Sequence, residues 1–476
     1  FTKGAPESVL PLCTRQQGSA TPAELTVDGR KKVLAQSQAF AQQAYRVLAV
    51  AMGEVERGIE QLRANTVEQG LTFLRLVSMM DPPHREVPDA IKKCRRAGVR
   101  VMMITGDHPL TALAVARKIG LAPETIPTEP GHFVPVIEGA HIDTFSDDQL
   151  RQLLTPTTPG EPDPIFARMA PRHKMRIVSA LKEMREVVAV TGDGVNDAPA
   201  LKTADIGIAM GIAGTDVAKE TASMILLDDN FATIVHAIEE GRAVYTNIRK
   251  FVTYVLASNV PEIVPYLGFG LSSMPLALTI PQILAVDLGT DMVPALALAA
   301  EPPEGGVMDD PPRPRTERLL SWDVILRAYA FLGLIEAGIA MGGFFLYLYS
   351  QGWSWAAPLD WTSPLYKEAT TVTFAGIVAA QVANVFACRS DRISAFRLGW
   401  FSNPLILVGV AVELTILLVM TYSPVGHLVL GTASLPAWIF GPLALGAIGL
   451  LLADELQKFV RGRMGARLSL QPGRGT

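Results

Sequence analysis

The sequence contains little cysteine and little charge. Its 476 residues include three cysteines, which lie far apart and form no CxxC or Cys/His spacing: Cys13, Cys94 and Cys388. We therefore expect neither a disulfide framework nor a structural zinc site, and we interpret these residues as buried thiols. Charged residues make up 18%, and 42 Lys+Arg against 46 Asp+Glu give a formal net charge of −4. Because nucleic-acid binding requires concentrated positive charge, nucleic acid is not an expected partner.

Apolar residues are abundant instead. They make up 49% of the chain, and the mean hydropathy of +0.27 is too high for a purely soluble or a disordered protein. We therefore expect a membrane part. The residues that follow Phe1 are polar and interrupted by proline, so we expect no signal peptide and interpret the chain as part of a longer protein.

The character of the sequence changes near Arg249. Before this point, β-branched runs such as Val99 to Ile104 and Val187 to Val190 alternate with amphipathic stretches. Two examples of the latter are Val87 to Arg96 and His173 to Arg185. This alternation is typical of a soluble α/β domain built from βαβ units.

Six long apolar stretches follow Arg249. They are approximately Phe251 to Leu271, Leu276 to Ala299, Val324 to Tyr349, Thr370 to Ala387, Leu405 to Tyr422 and Ala437 to Ala453. Each is close to the roughly 20 residues that a helix needs to cross a bilayer. Buried core helices are the alternative, but six such stretches in succession favour transmembrane helices.

The charges between these stretches predict an orientation. Arginine or lysine precedes the third stretch and follows the fourth and the sixth, whereas the segments Ser272 to Pro275, Gln351 to Leu365 and Ser423 to Pro436 contain neither. By the positive-inside rule, the α/β part and the C-terminus are both cytoplasmic, as an even number of spans requires.

The most informative motif is TGDGVNDAPALK at Thr191 to Lys202, which follows an apolar strand. Glycines at the carboxyl end of a strand let a loop approach an anion. The carboxylates of Asp193 and Asp197, with Asn196 between them, suit an oxygen-coordinated Mg²⁺. A solvated turn is the alternative, but a second constellation of the same kind lies upstream.

That second constellation is MITGDH, in which an apolar run ends in Thr105, Gly106 and Asp107. A third element, from Arg168 to Lys174, places fixed cations where a phosphoryl group could be held. Together these elements predict a site for phosphate and magnesium.

These motifs resemble those of the P-type cation-transporting ATPases, as do KGAPE at Lys3 to Glu7 and DPPH at Asp81 to His84. The resemblance implies a haloacid-dehalogenase-like phosphorylation domain, in which an aspartate receives the γ-phosphoryl group of ATP and later loses it to water. It implies ATP and Mg²⁺ as cofactors. The implied roles are as follows: Mg²⁺ binding for Asp193, ordering of the loop and substrate oxygens for Asn196 and Asp197, a place in the catalytic site for Thr105, Gly106, Asp107 and Lys174, with phosphoryl contact for Thr105, Gly106 and Lys174, and nucleotide binding for Lys3, Arg46 and Arg168.

Two expected motifs are missing. The sequence contains neither a DKTGT-type phosphorylation loop nor the TGE loop that catalyses dephosphorylation in this family. The resemblance is therefore to the C-terminal half of such a pump. We expect the chain alone to be inactive, and we expect the N-terminal half as its partner.

Polar residues inside the apolar stretches are costly and indicate a pathway. The first stretch contains Ser258, Asn259 and Glu262 around the helix-breaking Pro261, and the second contains two acids four residues apart, Asp287 and Asp291. Neither stretch contains Lys or Arg, so cation ligation is favoured over a structural ion pair.

The resemblance is closest to the sodium/potassium and proton/potassium pumps, whose corresponding spans read NIPE and DLGTDMVPA. It implies further ligands at Thr290, Gln381, Asn384 and Glu413. Asn384 replaces an acid common in the animal sodium/potassium pumps, which leaves the transported ion open. Glu336 receives no role.

We divide the chain into the C-terminal part of a nucleotide-binding domain (1–75), a phosphorylation domain without its catalytic aspartate loop (76–249), a bundle of six transmembrane helices (250–456) and a cytoplasmic tail (457–476). The expected function is the C-terminal part of an ATP-driven pump for Na⁺, K⁺, Ca²⁺ or H⁺, in the bilayer of the plasma membrane. The alternative is a truncated, non-catalytic membrane protein that binds nucleotide or cations.

Overall fold

A computed structural model of the chain describes residues 1–18, 21–43, 45–54, 68–80, 82–123, 135–156, 162–355 and 357–469. Asp81 of the DPPH motif lies outside the described residues. The chain divides into two compact units. Phe1–Ile238 with Met308–Pro312 form one, here called the α/β unit, and Glu239–Val307 with Arg313–Thr476 form the other, the helical unit.

The α/β unit begins with a five-stranded sheet. Its strands are β1 (Thr2–Gly4), β2 (Cys13–Gln16), β3 (Ala23–Glu24), β4 (Arg46–Met52) and β5 (Leu71–Met79), in the order β1-β4-β5-β2-β3. Only β2 and β5 pair in parallel. The short helix α1 (Pro6–Val9) and the longer α2 (Val27–Gln42) accompany this sheet. Thr26 caps α2 by accepting a hydrogen bond from the Gly29 N–H.

The rest of the α/β unit has parallel pairing, as βαβ units require. Its strands are β6 (Val136–Glu138) with β7 (Ile165–Ala167), and β8 (Ala189–Gly192), β9 (Ile206–Met210) and β10 (Met224–Leu226) in the order β10-β9-β8. Its helices are α3 (Val87–Arg96), α4 (Pro109–Lys118), α5 (Gly139–Thr144), α6 (Asp147–Leu154), α7 (Pro171–Glu183), α8 (Ala198–Thr203) and α9 (Asp216–Thr221).

One predicted strand of this unit is wrong. In the segment Val99 to Ile104, only Ile104 pairs, in a parallel bridge to Phe166 of β7. Because β7 has three residues, it offers a partner for only a short part of that run. The helix predicted at Val87 to Arg96 is confirmed, with proline in its first turn and basic residues in its last.

The helical unit is built almost entirely from helices. They are α10 (Phe231–Ser258, which starts in the α/β unit), α11 (Val260–Leu271), α12 (Ile280–Ala299), α13 (Trp322–Ser350), α14 (Pro364–Ala387), α15 (Ala395–Leu398), α16 (Pro404–Tyr422), α17 (Pro424–Val429) and α18 (Phe440–Ser469). Two of them contain wider π-helical turns, α12 at Val286–Thr290 and α13 at Leu326–Leu332. Such turns are frequent at functional sites.

Five helices of the described chain are long and apolar enough to cross a membrane: α12, α13, α14, α16 and the segment Ala437–Arg461 that contains most of α18. They confirm five of the predicted stretches. The remaining one, Phe251 to Leu271, is divided between the end of α10 and α11, and this division leaves the predicted number of six unconfirmed. Pro261 explains the division, since it has no N–H to donate to the carbonyl of Ala257.

Helix α14 occupies the centre of the helical unit. Its apolar window is 89% buried, against 22% for the last apolar segment. Small residues permit this packing: a Cβ on Gly376 would lie 2.9 Å from the Cα of Ala340 on α13. Polar residues on α14 therefore lie in the interior of the unit.

Candidate functional site

The loop after β8 is organised by one carboxylate. Asp197 is 7% exposed, and its Oδ2 accepts hydrogen bonds of 3.3 Å from the N–H groups of Asp193 and Gly194. A Cβ on Gly192 would lie 2.4 Å from the Cβ of Asp197, so the close approach of this side chain requires glycine. Asn196 and the Asp193 side chain are exposed on the same loop. Asp197 is therefore a loop-forming residue.

Lys174 reaches this loop from α7. Its Nζ lies 2.5 Å from the Oδ1 of Asp197, and both side chains are largely buried. The pair fixes an ammonium group beside the exposed Asp193 loop. A fixed cation at this place can stabilise charge on phosphoryl oxygens.

A second turn carries the motif that ends in Asp107. The Thr105 hydroxyl donates to the Asp107 carboxylate at 3.1 Å, and its oxygen accepts from the Asp107 N–H. The N–H of Arg168 donates to the Asp107 carbonyl at 3.0 Å, so the two segments are held side by side. Arg168 has a positive φ of 51°, which is uncommon for a residue with a side chain and recurs at functional sites.

His173, which sequence reasoning missed, supports the same turn. Its Nδ1 accepts from the Ala170 N–H at 3.1 Å, and its Nε2 lies 3.0 Å from the Asp143 carboxylate. Arg172 donates to Asp143 at 2.8 Å, and this contact, aided by His173, holds the pKa of Asp143 below its usual range. In the sequence, the position of His173 next to Lys174 is only a weak indication of a role, because its contacts with Ala170 and Asp143 are visible only in the structure.

A cleft of about 270 Å³ joins residues that the sequence analysis assigned to separate tasks. Gly106, Asp107 and Arg168 line it together with Arg46 and the neighbouring Tyr45. The cleft approaches the lower end of ligand-site volumes, roughly 300 Å³. His108 also lines the cleft. The two arginines can bind an anionic group, and the rings of Tyr45 and His108 can contact a planar ring, so the lining suits an anionic ligand that contains a ring.

Lys3 is not among the residues that line this cleft. It lies on β1 opposite Val50, and its side chain is exposed. The structure therefore brings Arg46 and Arg168 together but does not place Lys3 with them. Ala5 and Pro6, which follow β1 in the chain, do line the cleft.

The loop after β8 offers one free carboxylate, that of Asp193, as a ligand for Mg²⁺. The exposed Asp193 carboxylate is available as a ligand, whereas Asp197 is already bonded to Lys174. Mg²⁺ commonly takes one or two carboxylates, several waters and substrate phosphate oxygens, so one free carboxylate is compatible with it. In the described part of the chain, no three His, Cys, Asp or Glu side chains already form a metal-binding group.

The helical unit contains a separate group of buried polar residues around the interruption between α10 and α11. Ser258 is 2% exposed, Glu262 is 7% exposed, and Asn259 lies between them as the interrupting residue. The hydroxyl of Ser258 and the Oε1 of Glu262 have no hydrogen-bond partner. Buried polar atoms without partners are rare in proteins, and these two oxygens are available to bind a ligand.

The π-helical turn of α12 faces the same group. Asp291 is 6% exposed, and the Asp287 carboxylate, which is half-buried, is close enough for its charge to act on both Asp291 and Glu262. Thr290 donates to the Oε1 of Gln381 at 2.9 Å, and the Nε2 of Gln381 donates to Asp291 at 3.3 Å. The structure therefore brings Thr290, Asp291 and Gln381 together.

Two further predicted ligands border this group. Glu413 on α16 is fully buried, with one oxygen 3.4 Å from the Tyr254 hydroxyl and the other without a partner. Asn384 is also fully buried, and its Oδ1 accepts from the Cys388 thiol. Glu336 on α13, to which the sequence analysis gave no role, is buried beside them. The sequence feature that could have identified Glu336 is a carboxylate within an apolar stretch, since such residues usually have a function.

Three protein-family models match the chain. They are described as cation transporting ATPase, C-terminus (residues 275–460), P-type ATPase, cytoplasmic domain N (residues 1–86), and haloacid dehalogenase-like hydrolase (residues 175–238). The chain belongs to the P-type cation-transporting ATPase family. Both parts of the predicted fold class, a haloacid-dehalogenase-like domain and membrane helices, are thereby confirmed.

Among its relatives are the sodium/potassium-transporting ATPase alpha subunits of Tetronarce californica and Drosophila melanogaster, each 36% identical over 97% and 96% of this chain. The alpha-2 subunit of Gallus gallus is 39% identical over 89% of it. The chain spans about half the length of the curated relatives it matches, 49%, 48% and 46% respectively.

Proposed function

We propose that the chain is the C-terminal part of an ATP-driven cation pump, in which phosphoryl chemistry in the α/β unit drives cation transport through the helical unit. The observation that carries this proposal is the buried group of carboxylates in the helical unit. Glu262, Asp291 and Glu413 lie among apolar helices, and none forms an ion pair in the described part of the chain. Uncompensated carboxylates at this depth are costly unless a cation joins them.

In the α/β unit, Lys174 and the Thr105 hydroxyl would hold the phosphoryl oxygens, and Asp197 would keep Lys174 and the loop in place. This division of labour fits phosphoryl transfer, which depends mainly on positioning and on stabilisation of charge. Arg46 and Arg168 would bind the nucleotide phosphates or ring in the cleft. Asp193 would hold Mg²⁺, which supplies charge neutralisation and orientation of the transferred group when bound.

In the helical unit, the cation would be bound by oxygens of Glu262, Asp287 and Asp291. The interrupted helix adds the carbonyl of Ala257, which Pro261 cannot bond. Side chains would also contribute from Ser258, Asn259, Thr290, Gln381, Asn384 and Glu413. The names of the relatives favour Na⁺ or K⁺ as the cation.

The proposed placement follows from the same reasoning. The α/β unit and the C-terminus would be cytoplasmic, six helices would cross the plasma membrane, and the first of these would be the interrupted pair α10 and α11. The acceptor aspartate would come from the N-terminal half of the pump.

Cation binding to the purified chain in lipid nanodiscs tests the proposal. Radiolabelled Na⁺, Rb⁺ and Ca²⁺ should be titrated separately, and at least one should bind saturably. Asp291→Asn should weaken that binding by roughly tenfold or more, because it removes one charge from the group. Glu368→Gln is the matched control, since Glu368 accepts a hydrogen bond from Tyr347 at 2.9 Å and takes no part in this group. Absence of saturable binding for all three ions would refute the proposal.

A further inference from the structure

Glu336 is a buried acid of the helical unit whose carboxylate has no hydrogen-bond partner. It is fully buried at 0% exposure, and neither carboxylate oxygen has a hydrogen-bond partner. The charges that act on it come from two other carboxylates, Asp291 and Glu262, and its own charge acts on Glu413. A carboxyl group in such surroundings has neither a counter-ion nor a donor.

Close packing holds Glu336 at this position. Gly333, one helical turn earlier on α13, approaches Val260 at the start of α11 so closely that a Cβ would lie 2.4 Å from its side chain. Residues three apart share a helix face, so Glu336 faces the interruption that carries Glu262. The small Ala340, one further turn along, contacts Gly376 of α14. The small residues Gly333 and Ala340 therefore allow α13 to pack closely, and this packing holds the Glu336 carboxylate near Glu262.

Three buried basic residues of the helical unit pair with other acids. Arg327, the arginine of the same helix, pairs with Asp454 at 2.8 Å and with Asp391 at 3.5 Å. Lys458 also pairs with Asp454, at 2.6 Å, and Lys250 pairs with Glu304 at 2.7 Å. A structural ion pair thus does not explain Glu336. Burying an acid without a partner is costly, and a bound cation would compensate for this cost.

We propose that Glu336 is a further ligand of the membrane cation site, supplying a carboxylate from α13 to a cation held near Asp291 and Glu262. This inference rests on the proposed function. It adds α13 to the helices that already carry proposed ligands, which are α10, α11, α12, α14 and α16. It also raises the negative charge around the cation, which favours either a divalent ion or more than one monovalent ion.

The test uses the same cation titration of the full chain in nanodiscs. Glu336→Gln keeps the side chain's shape and one oxygen ligand but removes the charge, so it should weaken binding by roughly tenfold or more, or remove one bound cation per chain. Glu336→Asp, which keeps the charge, should lose less. Glu368→Gln should match the wild type, because it makes the same chemical change outside the group.

The outcomes separate this inference from the proposed function. Loss of binding in Asp291→Asn together with unchanged binding in Glu336→Gln would overturn the role of Glu336 and leave the function standing. Absence of binding in the wild type would overturn both. If Glu336→Gln fails to fold, the cation-induced infrared difference spectrum of Glu336→Asp decides: a shifted carboxylate band supports direct ligation, and a spectrum identical to that of the wild type excludes it.

Discussion

Replacing Asp197 with alanine should destabilise the α/β unit far more than the same change at Asp193, four residues earlier. Asp197 accepts a charge-assisted hydrogen bond from Lys174 at 2.5 Å and two longer ones, at 3.3 Å, from backbone N–H groups. A hydrogen bond to a charged group contributes about 1.5–3 kcal/mol, and loss of its partner would leave Lys174, which is 21% exposed, partly buried and unpaired.

The lost interactions therefore amount to about 3 kcal/mol. For a unit of this size, that corresponds to a fall in melting temperature of roughly 6–12 °C. Asp193 is the matched control, because its side chain is exposed while its backbone is held by the carbonyl contact with Thr215. Asp193→Ala should change the stability of the unit by less than about 0.5 kcal/mol.

The assay can distinguish the two units. All six tryptophans lie in the helical unit: Trp322, Trp353, Trp355, Trp361, Trp400 and Trp438. Intrinsic fluorescence therefore reports the helical unit, and peptide-resolved hydrogen exchange over β8 and α8 reports the loop. Faster exchange in Asp197→Ala alone, with an unchanged tryptophan transition, is the expected result. Equal exchange in Asp193→Ala and Asp197→Ala would refute the reasoning.

Two further predictions concern packing. Gly192→Ala should destabilise the α/β unit by about 1–3 kcal/mol, because its Cβ would lie 2.4 Å from that of Asp197; a denaturation midpoint equal to the wild-type value would contradict this close approach. All three cysteines are buried, and burial raises the pKa of Cys13. A water-soluble maleimide should therefore leave all three thiols of the folded chain unlabelled over a reaction time that suffices to label all three in denaturant, as measured by mass spectrometry. Rapid labelling under native conditions would place a thiol at the surface.

The loops that contain the motifs were predictable, because the residues that determine the loop conformation lie within the same short motif. Glycine at the end of β8 and an acid five residues later determine the loop, and the helix at Val87 to Arg96 follows from proline, periodicity and basic residues in its last turn. The acids at Asp287 and Asp291 were predictable for a similar reason, since polar residues stand out in an apolar stretch.

Features that depend on contacts between distant segments were not predictable. Val99 to Ile104 reads as a strand, but strand pairing requires a partner, and β7 is too short to pair with all of it. Glu336 could be noticed but not interpreted, because its burial depends on the close approach of Gly333 to Val260. His173 is similar, since the hydrogen bond of its Nε2 joins α7 to Asp143, 30 residues earlier.

The central claim is that the two units belong to one ATP-driven pump, and ATP-dependent cation uptake tests it most directly. The chain should be assayed within the full-length pump in sealed inside-out vesicles, with the cation that binds most tightly to the helical unit. The account predicts that Asp193→Ala abolishes uptake without changing equilibrium cation binding, and that Asp291→Asn lowers both uptake and equilibrium binding. Uptake at the wild-type rate in either variant would contradict the account.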